Sequence, residues 1–160
     1  MNIARTEAHC VRYELEVEIG APCEKVWEAV VNETNAWWLP DFHIMGPNST
    51  VTFDTEPGGK GLVEADENGA ALLWFAVQYH SPMEYKIYLF GHVAPDWGGP
   101  STSFLKLELE ESEGGCILKV TDAQHGNLDE KSIESTSAGW TQLFNSGLKQ
   151  YVENGTRFDE

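Results

Sequence analysis

Basic side chains are scarce: 10 Lys and Arg stand against 26 Asp and Glu in 160 residues, a formal charge of −16. Such a surface repels phosphate backbones and anionic headgroups, so neither nucleic acid nor a membrane is an expected partner. Its simplest consequence is solubility, and it also leaves an acidic face for a basic partner. Cysteine is scarce too. Cys10, Cys23 and Cys116 are far apart and odd in number, and they supply no CxxC, no zinc spacing and no disulfide framework. No apolar run follows a basic patch at the N-terminus, and no stretch approaches the roughly 20 apolar residues of a membrane span. A reducing cytoplasm is the expected compartment, and the sequons at Asn32, Asn48 and Asn154 are then chance matches. His9, His43, His80, His92 and His125 form no HxH, HxxxH or HxxE pair, so neither a metal nor any other cofactor is expected. There is no GxSxG and no Cys–His signature, and Gly58-Gly59-Lys60-Gly61 lacks the spacing of a phosphate loop. No catalytic residue is nominated.

Aromatic residues, by contrast, are plentiful: six Trp, five Tyr and seven Phe. Large rings fill a core at little entropic cost, and they also line pockets for flat or greasy ligands. With 41% apolar residues the chain has ample material for one core, and its length fits a single domain, 1–160, with its core at about 11–153.

Residues 11–19 alternate, with Tyr13, Leu15, Val17 and Ile19 on one side and Glu14, Glu16 and Glu18 on the other, as in a strand with one wet face. Pro22, Glu24, Val26, Trp27, Val30 and Val31 predict a short helix over 22–31. Thr34 is the expected cap of a second short helix that carries Trp37 and Trp38 and ends at Pro40. Strands are expected over Thr50–Thr55, Gly61–Asp66, Ala71–His80, Glu84–Val93, Thr102–Ser112 and Cys116–Gln124, divided by turn signals such as Asn68-Gly69 and Gly114-Gly115. Trp140, Leu143, Phe144, Gly147, Leu148, Tyr151 and Val152 then form one stripe of a long helix, started by Asp129 or Ser132 and stopped by Asn154-Gly155. Strands in a run with the helices set apart imply an antiparallel α+β fold in which the last helix covers the sheet.

The run Ile19-x-Ala21-Pro22-x-x-Lys25-Val26-Trp27-x-Ala29, followed by Trp37-Trp38, resembles the opening of the START-like (SRPBCC) superfamily. The similarity is to the heat-shock protein 90 ATPase activator homologue and polyketide cyclase-like branch. Ser81-Pro82 before Tyr85 and Ile87, and Gly139-Trp140 with Phe144, Leu148 and Tyr151, extend the resemblance over about 11–153. It implies a helix-grip fold: about seven antiparallel strands curved around the C-terminal helix, with a cavity between. It implies no single reaction, since members include ligand binders, lipid carriers, cyclases and chaperone-binding domains. The expectation is therefore a small hydrophobic or aromatic ligand held between sheet and helix. The alternatives are a cyclase-like or hydrolytic enzyme acting in that cavity, or a chaperone-associated module that activates an ATPase. A homodimer is also an expectation from the family.

Strand faces follow from charges that must point outward. Lys119 outward sends Cys116, Leu118, Val120 and Asp122 inward, and Lys86 outward sends Tyr85, Ile87 and Leu89 inward. The strand 71–80 has no charge to anchor it; Gln78 outward puts Phe75, Val77 and Tyr79 inside and Trp74 outside. Asp122 is then either a polar anchor or general base on an apolar face, or a residue at the open rim of the strand, solvated or hydrogen-bonded to the Gln124–Asn127 turn. Trp37, Trp38 and Phe42 lie where the family has a cavity wall. With Phe75, Tyr79, Leu89, Asp122, Trp140 and Phe144 they complete the expected ligand-contacting set, rings that a core would claim equally. The loop 94–101 around Trp97 is either a connector or a cover for the cavity mouth.

Overall fold

Alternation along the first strand sets the sheet. In the computed structural model, which describes residues 1–160, β1 (His9–Ile19) buries Val17 and Ile19 and leaves Glu16 and Glu18 in solvent. Six further strands follow: β2 (Thr50–Asp54), β3 (Gly61–Ala65), β4 (Ala71–Ser81), β5 (Lys86–Val93), β6 (Ser101–Ser112) and β7 (Gly115–Gly126). They make one antiparallel sheet in the order β1-β7-β6-β5-β4-β3-β2. Its concave face receives the C-terminal helix, giving the helix-grip architecture. No helix is long and apolar enough to cross a membrane.

Two short helices bridge β1 and β2. The first, α1 (Cys23–Asn32), starts one residue later than the sequence suggests, because Pro22 takes the cap position with extended backbone. It buries Val26, Trp27, Ala29, Val30 and Val31 on one face. Thr34 is not the cap of α2 (Thr34–Trp37): its hydroxyl donates back to Val30 O at 2.8 Å, so it closes α1 instead. Pro82–Glu84 forms a tight turn and Tyr85 adopts a left-handed backbone, so β5 begins at Lys86 rather than Glu84. Half-buried Tyr85 lies tilted against Trp27, their ring centres 6.0 Å apart.

Strand β4 departs most from expectation, because it carries two bulges. Against β3, Leu62 pairs with Phe75 and Val63 with Leu73, which leaves Trp74 without a partner. Against β5, Val77 pairs with Leu89 and Tyr79 with Tyr88, which skips Gln78. A bulge reverses the facing of the residues beyond it. Phe75 and Val77 face inward as expected, but Tyr79 turns out, 41% exposed, and bonds Glu84 Oε2 at 3.0 Å. His80 turns in and stacks on Trp27.

Cys23 and Cys116 form a disulfide, their Cα atoms 5.2 Å apart, where the spacing indicated no framework. Tertiary structure explains it: Ile19 is the β-ladder partner of Cys116, and the turn through Pro22 brings Cys23 over that pair.

The C-terminal helix runs from Glu130 to Asn154 as α3 (Glu130–Gln142), a π-helical stretch Leu143–Lys149 and α4 (Gln150–Asn154). Asp129 caps it through a reciprocal box with Ser132, and Gly155, at φ 70°, ends it. Three bonds tie its last turns down: Lys149 Nζ to Glu18 O, Lys25 Nζ to Val152 O, and Gly20 N to Glu153 Oε1. Leu143, Phe144, Gly147, Leu148 and Val152 are buried, whereas no residue of α3 is. Gly147 serves close packing, since a Cβ there would lie 2.6 Å from Trp37 O. Gly147→Ala should therefore destabilise the fold by about 1–3 kcal/mol through overpacking, read as a lower urea midpoint at unchanged slope.

Candidate functional site

Because the helix docks tightly only from Leu143 onward, its first half stands off the sheet. A cleft of about 450 Å³ opens there, walled by β4 (Trp74, Phe75), the segment after α2 (Trp38, Phe42) and the helix (Gly139, Trp140). Trp38 meets Trp74 edge-on at 5.5 Å between centres, and Phe75 lies 6.2 Å from Trp140. Ile44, Leu73, Val93 and Trp97 ring the mouth, 57%, 52%, 38% and 60% exposed. The loop that carries Trp97 thus contributes to the mouth. It is held by Asn127, whose backbone N–H donates to Pro100 O at 2.9 Å.

Two carboxylates are wholly buried behind this wall. Asp122 is 0% exposed and so is not solvated at the rim, although it does bond Gln124, in the turn named as its possible partner. Its Oδ1 accepts from Ser103 Oγ at 2.6 Å; its Oδ2 accepts from Gln124 Nε2 at 2.7 Å and Trp140 Nε1 at 2.8 Å. Those three donor residues line the cleft, and the carboxylate sits one layer behind them. Glu64, also 0% exposed, does the same on the opposite wall. It accepts from Ser49 Oγ (2.6 Å), Met45 N (2.8 Å), Trp74 Nε1 (3.0 Å) and Ile44 N (3.2 Å), with His43 Nδ1 at 2.8 Å from the Ser49 hydroxyl. Burial pushes the Glu64 carboxyl up, but the hydrogen bonds outweigh it and hold the group below the ordinary Glu range.

Of the residues expected at the site, Trp38, Phe42, Phe75 and Trp140 line the cleft. Asp122 backs it. Trp37, Leu89 and Phe144 lie deeper, 2–3% exposed, around a void of about 30 Å³, no larger than a water's share of liquid volume. Phe144 reaches the cleft indirectly, stacked on Trp140 at 5.8 Å. Tyr79 points to the outer face. The sequence pattern did not single out Glu64 or Ser103, it named Gln124 only as part of the turn that could bond Asp122, and it placed Trp74 outside. Glu64 carried the same signal as Asp122, a lone carboxylate between apolar strand neighbours. Trp74 could be found only from the bulge, which frees it to turn over Glu64. No three His, Cys, Asp or Glu side chains cluster as metal ligands would.

The fold and the cleft define a START-like helix-grip domain. Residues 20–153 match the family model described as Activator of Hsp90 ATPase homolog 1-like protein, and the chain belongs to that family. Its fold is shared with an uncharacterized protein from Rhizobium leguminosarum, at 19% identity and a TM-score of 0.66, over 92% of this chain and 97% of that one. It is shared with Ara h 8.0201 at 20% identity and 0.61, over 90% and 98%. CalU16 from Micromonospora echinospora is similar at 18% identity and 0.55, over 93% and 75%. No curated protein matches the chain in sequence.

The lowered Glu64 pKa has a definite sign for stability. A carboxylate held lower in the folded chain contributes above its unfolded pKa and loses that contribution as pH falls through the folded value. Glu64→Gln should lower the melting temperature at neutral pH, by the equivalent of about 1–3 kcal/mol for mispaired donors. The difference from wild type should shrink on acidification below the ordinary Glu range, as thermal melts across about pH 3–7 would record.

Proposed function

We propose that the chain binds a small hydrophobic or aromatic molecule in the cleft between the sheet and α3. The observation that carries this reading is the lining: Trp38, Trp74, Phe75 and Trp140 converge on about 450 Å³ that contains no Lys, Arg, Asp or Glu. Ligand sites are typically of about 300–1,000 Å³, mostly apolar, with a few placed polar groups. Exposed apolar side chains gathered at one mouth, rather than scattered, also favour binding. An enzymatic reading would need a proton acceptor facing the ligand. Both oxygens of Asp122 are already engaged, which suits it to hold Trp140 rather than to act as a base.

The family description favours a second reading, docking on an Hsp90-type chaperone through the acidic outer surface. Salt-sensitive capture of the purified chaperone would support it, and capture that ignores salt would not.

Gly139 supplies the direct test, because a Cβ there would meet only the Phe42 ring, at 3.8 Å, so a large side chain can enter the cleft without straining the helix. A naphthalene-type ligand at a hundredfold excess over its Kd should stabilise wild type by about 2.7 kcal/mol. Gly139→Phe should fold and lose that thermal shift. An equal shift in the variant would place binding elsewhere, and no shift from any aromatic ligand in wild type would end the reading.

A further inference from the structure

Hydrogen bonds to one buried carboxyl group set the polarity at the polar end of the cleft. Both oxygens of Asp122 accept, from Ser103, Gln124 and Trp140. Ser103 has one hydroxyl proton and gives it to Asp122, so its Oγ retains only lone pairs. The Gln124 amide is oriented by the same logic. One N–H of its nitrogen donates to the carboxylate, because oxygen against oxygen would repel, and Oε1 and the second N–H are left over. Trp140, an indole, has nothing further to donate or accept in the ring plane.

Ser103 and Gln124 are cross-strand partners on β6 and β7, so their side chains stand side by side on the inner face. Ser103, at 8% exposure, is the buried polar residue of the lining; His92 and Ser135 lie at the exposed mouth. The apolar cleft therefore ends in two acceptor oxygens, Ser103 Oγ and Gln124 Oε1, beside the second Gln124 N–H and, on the helix, the half-buried Thr136 hydroxyl. A ligand that turns its own acceptor toward those two oxygens meets lone pairs, and a ligand without polar groups leaves them unpaired. A ligand with a hydroxyl satisfies them.

Building on cleft binding as proposed for this site, we propose that the site selects aromatic or polycyclic ligands that carry a hydroxyl donor, which bonds to Ser103 Oγ and Gln124 Oε1. The selection is set by Asp122, a positioning residue that orients both acceptors without touching the ligand.

Three probes of nearly equal shape test this: 2-naphthol, 2-methoxynaphthalene and naphthalene, titrated into the full chain and followed by tryptophan fluorescence and calorimetry. 2-Naphthol should bind about tenfold tighter than the methyl ether, the worth of one hydrogen bond. Equal affinities, or a tighter ether, would overturn the donor selection while leaving the cleft as an apolar binding site. Binding of none of the three would overturn both.

Two variants separate the acceptor pair from general damage. Ser103→Ala should weaken 2-naphthol severalfold more than it changes naphthalene binding. Asp122→Asn places an amide N–H against Ser103 Oγ and releases the hydroxyl proton to the cleft. It should shrink or reverse the preference for naphthol over the ether, again with naphthalene binding retained. Full naphthol preference in both variants would overturn the proposal.

Discussion

Everything that distinguishes this cleft rests on two buried carboxylates with no Lys or Arg beside them, Glu64 having only His43, at 3.5 Å. Removing a charge from water is costly, and hydrogen-bond donors must make up the difference. Asp122 gathers a hydroxyl, an amide and an indole N–H; Glu64 gathers two backbone amides, a hydroxyl and an indole. Each requirement runs in both directions. The donors that keep the charge tolerable are thereby held in place, and one donor in each set is a tryptophan on the cleft wall. Trp140 and Trp74 are therefore not free to collapse into the space between them, as unanchored rings in an apolar cleft would tend to do. A polar scaffold behind an apolar surface keeps the void open.

The helix is divided along its length in a way that serves the same end. From Leu143 to Val152 it is clamped, with Gly147 against the Trp37 carbonyl and lysine and glutamate contacts to the end of β1 and to α1. The π-helical stretch coincides with that tight contact. Ahead of it, α3 buries no residue and is fixed at its start by the Asp129 cap. A rigid rod held at one end and capped at the other can stand off a curved sheet without losing its own hydrogen bonds. That geometry is the cleft. The same division explains why Phe144 and Trp37 belong to the core whereas Trp140, one helical turn before Phe144, reaches the cleft.

Much of this was legible in the residues. The succession of strands along the chain, the two short helices, the capped final helix and its buried stripe follow from periodicity and turn chemistry, and Cys116, Leu118, Val120 and Asp122 face inward as the outward Lys119 requires. The failures have three physical origins. β4 has no charged residue to declare its faces, and its two bulges break the period-two rule on which facing is read. Tyr79 and Trp74 depart from their expected faces for that reason alone. Glu64 escapes notice because a carboxylate in a short strand is ordinarily solvated, and nothing local announces that Ile44, Met45 and Ser49 fold back over it. The Cys23–Cys116 pair spans 93 residues and depends on β1 meeting β7, a long-range fact that spacing cannot carry.

The sign of the charge gives these contacts a direction. A chain of net charge −16 with two carboxylates directly behind its cleft presents negative potential to anything that enters. Anionic ligands are opposed by the whole field, and the lining offers no Lys or Arg to receive them. A neutral aromatic body avoids that opposition, and one whose polarity ends in a positive hydrogen gains from it. The field and the local acceptor oxygens therefore point the same way, and Asp122 belongs to both, as one of the carboxylates behind the cleft and as the centre of the three hydrogen bonds. In a fold that hosts many functions, that arrangement would restrict an occupant of the proposed site more than the shape of the cleft does.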